Sequence, residues 1–408
     1  MDEKQLLREV SAHLTERLIP FWRRLRDDEN GGYYGYMGYD LWVDRQAEKG
    51  CILNSRITWF FSRCYTMLRD PALLQEAAHA YRFMREKCFD GQNGGLYWSL
   101  TADGRPLDTT KHTYNQAFSI YALSEYYEAS GDAEALRLAL EQFRLIESRM
   151  KDEGGYLEAL DCRFRPVSNE KLSENGVMAD RTMNTLLHVL EAYVNLYRVS
   201  GELEAGRQLA RIFGEFAEKI WNPAKQRQEV FFDRDFHSLI DLYSYGHDIE
   251  TSWLLDEGLA VLGDAGCRER IAPLTDAMVE NLLAQAYDGH SLPAECENGV
   301  VQEDRVWWVQ AETLLGFLNA WQKHPEREDY RQAVFSTWEF IRDYVVDPRE
   351  GSEWFWKVNR DGSPVEGKPI VEPWKCPYHN GRMCLEVMRR LGSGATVKER
   401  GHAFGEKF

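Results

Sequence analysis

The chain has 408 residues, a length that allows two or three domains or one large domain built from repeats. Lys and Arg number 49 against 66 Asp and Glu, a formal charge of −17, which repels a phosphate backbone and argues against nucleic acid as a partner. No stretch approaches the roughly 18 apolar residues of a membrane span, and the first ten residues mix acid and base without an apolar signal segment, so a soluble, cytoplasmic protein with no membrane partner is expected.

The first predicted element is a helix over 3–19. Helix, turn, helix units follow at 51–87, at 112–130 with 133–148, and at 180–219, 247–284 and 306–344, and a last, partnerless helix spans 376–391. In 112–130 Ala117, Ile120, Tyr121, Leu123 and Tyr127 fall near helical spacing. The intervening Ser-Gly-Asp reads as stop, turn and N-cap. Between the pairs lie short Gly and aromatic segments starting at Gly31, Gly94, Gly154, Glu229, Asp288 and Gly351, which read as strands. Their spacing of roughly 60–75 residues marks a repeat. The motifs DGRPLD at 103–108 and DGSPVE at 361–366 predict Asp-Gly turns at matching points of two hairpins.

Six units of two helices close into a ring if the helix at 3–19 supplies the partner missing from the last unit. The expected fold is therefore all-α, an (α/α)6 barrel with short β-hairpins at its mouth, because a closed ring has no exposed terminal repeat. Residues 1–391 are expected to form this single domain and 392–408 a charged tail. Eight scattered cysteines with no C-x-x-C pair are expected to be free thiols.

If the helix after each hairpin is the inner one, the six inner N-termini face one mouth, and they carry unusual residues. These are Asn54, Arg56 and Trp59; His112, Tyr114 and Asn115; Asn184 and His188; His247, Glu250 and Trp253; Trp307, Trp308 and Glu312; and Cys376, Tyr378, His379, Asn380 and Arg382. Polar groups on a buried helix need each other or a ligand, and a barrel mouth is a natural ligand site. His13, His79, His237, His290, His324 and His402 are expected at the surface. The richness in aromatic residues, 13%, suits ring-shaped ligands such as sugars.

His247 and Glu250 stand at i, i+3, which suits a carboxylate orienting a working imidazole. The same pair could ligate a metal, but no second such pair is read as completing a ligand set, and neither a metal nor another cofactor is expected. His247 and His379, from the fourth and sixth inner helices, could flank a bound molecule and move a proton from one face of a carbon to the other. The enediolate this creates needs a fixed cation, and Arg56 is available. Two rival readings are an inverting glycosidase using Glu250 and Glu312, and a helical scaffold without catalysis, which has no need of histidines at the inner helix starts.

The segments FWRRLRDDENGGYYGY (21–36), ILNSRITWFFS (52–62), KHTYNQAFSIYALS (111–124), LSENG with MNTLLHVLEAY (172–193), YSYGHDIETSWLL (243–255), RVWWVQAE (305–312) and PWKCPYHNGRMCLEV (373–387) resemble the N-acylglucosamine 2-epimerase family, and within it the cellobiose 2-epimerase branch. The resemblance runs from about residue 5 to 390. It implies an (α/α)6 barrel without redox or metal cofactor that interconverts glucose and mannose at the reducing end of a β-1,4-linked disaccharide. It further implies that His379 and His247 are the acid/base pair and that Arg56 holds the enediolate. His188, Asn184, Glu250 and Glu312 would assist ring opening or orient the imidazoles. Tyr114, Trp308 and Trp374 would contact the sugar, with Asn115, Trp253 and Trp307 beside them. A monomer acting on a small disaccharide is expected, with an aldose-ketose isomerase such as a mannose isomerase as the alternative within the family.

Overall fold

The computed structural model describes residues 1–172 and 174–392. Helix α1 (Glu3–Ala12) continues through a π-helical turn at His13–Leu18 into α2 (Ile19–Arg24). Five helix pairs follow: α3 (Cys51–Leu68) with α4 (Pro71–Phe83), α5 (Thr113–Ser130) with α6 (Ala133–Arg149), α7 (Met183–Ser200) with α8 (Leu203–Glu215), α9 (Tyr245–Leu262) with α10 (Ala265–Gln285), and α11 (Trp307–Lys323) with α12 (Glu328–Phe340). The last helix, α13 (His379–Gly392), has no successor among the described residues. The tail expected at 392–408 lies outside them beyond Gly392.

Helices α3, α5, α7, α9, α11 and α13 pack each on the next, and α13 packs back on α3. That closes the inner ring of an (α/α)6 barrel. Helix α1 packs on α13, so the N-terminus supplies the twelfth helix, as the repeat count requires. The two rings differ in sequence because they differ in burial. Helix α5 is buried on almost every side from Thr113 to Tyr126, whereas α8 buries only one stripe, including Ala205, Leu209, Ile212 and Phe213. The turn between rings is fixed by caps. Gly131 takes φ +74° at the end of α5, and Asp132 then accepts the Glu134 N–H at 2.9 Å to start α6.

The mouth of the barrel is built from strands of two or three residues. A strand just before each of five inner helices pairs antiparallel with the Gly-aromatic segment of the next unit: Lys49–Gly50 with Ser99–Leu100, Lys111–His112 with Ala159–Leu160, Arg181–Thr182 with Phe231–Phe232, Leu242–Ser244 with Glu295–Glu297, and Arg305–Val306 with Lys357–Val358. A bridge from Met37 to Val371 closes this ring too. The expected hairpin turns are present, with Gly104 at φ +81° and Gly362 at φ +84°.

Ion pairs, each with a buried cation, lock these strands to the loops beneath. Lys49 meets Asp27 at 2.6 Å, Lys111 meets Asp90 at 3.0 Å, and Arg181 and Arg305 meet Asp152 and Asp288, both at 2.5 Å. The loop aspartates also accept backbone N–H groups of their own turns, as Asp27 does from Glu29 and Asn30 at 3.0 Å. Each charge is thereby paired and hydrogen-bonded, which its burial demands. Two histidines depart from the expected surface placement because their rings find partners inside: His13 accepts from the Trp354 indole at 2.8 Å and His79 bonds the Gly32 carbonyl at 3.0 Å. His290 stacks on Phe340 with 44% of its side chain exposed. His402 lies outside the described residues. Among those residues no helix is long and apolar enough to cross a membrane.

Candidate active site

All six inner helices begin at the hairpin end, and their first two turns line a cavity of about 200 Å³. Helix α3 contributes Arg56, α5 Tyr114, α7 Asn184 and His188, α9 His247 and Glu250, α11 Trp307 and Trp308, and α13 His379; the loops above add Leu172, Trp356, Glu372 and Trp374. Leu172 is carried on a segment that Asn175 ties to the 295–302 hairpin, donating to Glu295 at 2.8 Å and Glu297 at 2.9 Å. Gly246 matters to the packing of this mouth. A Cβ there would lie 2.5 Å from the Trp308 ring, so only glycine lets that indole cross the first turn of α9.

Three imidazoles face the cavity. His379 Nδ1–H donates to Glu312 at 2.7 Å and His188 Nδ1–H to Glu191 at 2.9 Å, a bond to a carboxylate that leaves Nε2 as the free basic atom. His247 Nδ1 lies 2.7 Å from the Ser244 hydroxyl. Burial pushes all three below the ordinary imidazole value, because a dry site disfavours the charged ring. His247 falls to about 3 with the charge of His188 adding to burial, and Arg382 and Arg56 push His379 well down; Glu191 opposes burial at His188, whose value is still lowered. Neutral rings are the basic form.

Beneath them Arg382 joins three carboxylates. It donates to Glu191 and to Glu250 at 2.5 Å each and to Glu312 at 2.8 Å, while the Tyr378 hydroxyl bonds both Arg382 and Glu191. Against burial, Arg382 and the His188 bond hold Glu191 at about 2. Glu312 accepts from His379, Arg382 and the Trp253 indole; burial raises its value, and Arg382 and the indole oppose that push. Burial, with the charge of Glu312 adding, raises Glu250 to about 8. Its Oε2 has no partner among the described residues, and Glu250 lines the cavity.

Arg56 is the second buried cation. Its guanidinium donates to the Tyr114 hydroxyl at 2.8 Å and the Trp374 carbonyl at 3.3 Å and lies over the Phe118 ring at 4.1 Å. No carboxylate pairs with it among the described residues. A buried charge with only neutral partners is suited to an anion that forms in the cavity.

A family model described as N-acylglucosamine 2-epimerase (GlcNAc 2-epimerase) matches residues 21–380. This chain belongs to the N-acylglucosamine 2-epimerase family. A cellobiose 2-epimerase from Eubacterium cellulosolvens is 50% identical over 93% of this chain and 97% of its own. One from Ruminococcus albus is 47% identical over 94% of this chain and 99% of its own. The solved structure of the cellobiose 2-epimerase from Bacillus thermoamylovorans superposes with a TM-score of 0.91 at 44% identity, covering 95% of this chain and 100% of that one.

Within this family member the structure rearranges several expected roles. Glu250 does not orient His247; its bond goes to Arg382, and Ser244 takes the imidazole instead. Glu312 and Trp253 stand behind His379 rather than at the cavity surface. Asn115 is directed at the hairpin, donating to the Tyr97 carbonyl at 2.9 Å, and does not line the cavity. His112 bonds Asn169 at 2.9 Å and also lies off the cavity. The carboxylates proposed for an inverting glycosidase are too close: oxygens of Glu250 and Glu312 lie within 4.8 Å of each other, against the roughly 6.5–9.5 Å that an intervening water requires.

Glu191, Arg382, Tyr378 and Ser244 are the residues that the sequence reading left without a role. His188-x-x-Glu191 repeats the spacing of His247-x-x-Glu250, so a second pair was visible one inner helix earlier. Donor atoms of Glu250, Glu312 and His379 are grouped as a metal's would be. The Arg382 guanidinium, however, already bonds both carboxylates, supplying the positive charge an ion would bring.

Proposed function

We propose that residues 1–391 form one catalytic domain that epimerises C2 of the reducing-end glucose of β-1,4-linked disaccharides, converting cellobiose to glucosyl-mannose and lactose to epilactose. The reading includes a cytoplasmic monomer with no resident metal or redox cofactor. The observation that carries it is the placement of His247 and His379 around Trp308, whose ring lies 4.9 Å from one imidazole and 5.4 Å from the other. A sugar held against this indole has both imidazoles within reach, and on our reading they work on opposite faces of C2. The relatives named above carry the same activity in their names, at 44–50% identity.

The chemistry follows from the charges. Ring opening exposes an aldehyde, and in this reading the Glu250 carboxyl and His188, which both line the cavity, exchange protons with the ring and anomeric oxygens. One neutral imidazole removes the C2 proton and becomes imidazolium, its Nδ1–H held by the group behind it, Glu312 for His379 and Ser244 for His247. The electron pair moves onto the carbonyl oxygen, giving an enediolate that Arg56 stabilises. The opposite imidazole, having taken a proton from solvent, returns it to the other face of C2, and the first imidazolium then releases the abstracted proton to solvent.

Two results are expected. In parallel assays kcat/KM for cellobiose and lactose should exceed that for free glucose, with N-acetylglucosamine poor because its amide cannot replace a hydrogen-bonded hydroxyl. Dialysis against a strong chelator should leave these rates unchanged. Faster conversion of mannose to fructose would replace the reading with a monosaccharide isomerase, and loss restored by one divalent ion would replace the arginine-based account.

The pH profile should show the burial of these groups. Because lowered imidazoles stay basic in mild acid, the acid limb of kcat/KM should fall below the ordinary histidine value of about 6.5. The alkaline limb should appear near 8, where Glu250 loses its proton. Glu250→Gln should remove the alkaline limb. An acid limb above pH 6.5 would contradict a dry site.

A further inference from the structure

Ser244 stands at the N-cap of α9 in extended backbone, yet its side chain makes no bond to the helix N–H groups. Serine is favoured at this position because its oxygen satisfies one of those free donors. Thr182 does so at the start of α7, accepting the Thr185 N–H at 3.0 Å. The Ser244 hydroxyl is instead turned to His247 Nδ1 at 2.7 Å. Ser244 is buried. A residue type suited to capping has thus been diverted to the imidazole, and no other group is bonded to His247 Nδ1 among the described residues.

Resting on the two-imidazole reading, we infer that Ser244 is the positioning residue for His247, holding it as the Nδ1–H tautomer with Nε2 free for the sugar. Nδ1–H donates to the Ser244 oxygen before and after Nε2 takes a proton, so the ring keeps one orientation through the cycle. The contrast with the other imidazoles is chemical. Glu312 and Glu191 are carboxylates, which favour the charged ring of His379 and His188, whereas a hydroxyl accepts the same hydrogen bond without adding negative charge. His247 is therefore held in place without being made more basic. That gives the pair an asymmetry: the site has one imidazole backed by an anion and, facing it, one backed by a neutral acceptor.

Two readouts test the assignment. In wild-type protein labelled with ¹⁵N-histidine, with His247 assigned by the signal missing in His247→Asn, the His247 resonances should report Nδ1–H; in Ser244→Ala they should move while those of His188 and His379 stay. Ser244→Ala should also lower kcat about tenfold or more, a cost typical of misplacing a catalytic group, with KM and melting temperature unchanged, and Ser244→Thr should restore it. An Nε2–H tautomer in the wild type, an unchanged kcat, or a fall in melting temperature that marks a lost helix cap would each overturn it. If the wild type fails to epimerise cellobiose, the functional reading fails, while the ¹⁵N spectrum still decides the Ser244 contact.

Discussion

His379→Asn and His247→Asn are each expected to abolish net epimerisation of cellobiose, losing at least the roughly 10²–10⁴-fold contributed by a general acid/base group. Asparagine keeps a polar side chain of similar reach but cannot take a proton. Both variants should retain fold, since each imidazole is neutral and its removal strands no charge. The two losses differ in one respect: His379→Asn also removes a hydrogen bond to Glu312, so it should perturb the Arg382 cluster, whereas His247→Asn leaves that cluster untouched. Steady-state rates by chromatography of the disaccharides, with circular dichroism as the control, measure both. Retention of more than a tenth of wild-type rate in either variant would remove that histidine from the proton path.

Arg382→Met should be the most destabilising single change in the barrel. The methionine fills most of the volume but leaves Glu191, Glu250 and Glu312 buried around no cation. Breaking a buried ion pair from one side costs about 3–5 kcal/mol, and here three acids lose one partner. Some of the cost is relieved by protonation, so the variant's stability should recover as pH falls and these carboxyls become neutral. Arg382→Lys should rescue only part, because a single ammonium cannot reproduce the planar fork that reaches all three acids. Urea titrations at pH 8 and pH 5 measure the effect. Equal stability of Arg382→Met and wild type at pH 8 would show that the carboxylates do not depend on this arginine.

Much of this architecture is legible in the sequence because it rests on repetition. Six Gly-aromatic segments and six polar helix starts fix the barrel, its closure by the 3–19 helix and the face that holds the site. Arg56, Tyr114, Asn184, His188, His247, Glu250, Trp307, Trp308, Trp374 and His379 all meet at one cavity because they sit in the first turns of inner helices or in the loops above them. What escapes is the pairing below that layer. Spacing along α9 places Glu250 on the same face as His247, but the partner that wins is Arg382, which approaches from α13 through a contact 132 residues away in sequence. Ser244 escapes for a related reason. A serine before a helix reads as a cap, and only the geometry shows its hydroxyl turned away from the backbone. The strand pairings between successive units also depend on ring closure, so the strands look like isolated hairpins until the helices are arranged.

The central claim is that a proton leaves C2 to one imidazole and returns from another. Turnover of cellobiose in deuterium oxide, followed by proton NMR, tests it most directly. A proton held on an imidazole exchanges with solvent, so glucosyl-mannose should form with deuterium at C2, the C2 hydrogen signal of the unreacted pool should fade as the reaction reverses, and no free glucose should appear. Glucosyl-mannose that keeps the full substrate hydrogen at C2 would contradict proton abstraction and require movement of hydride instead.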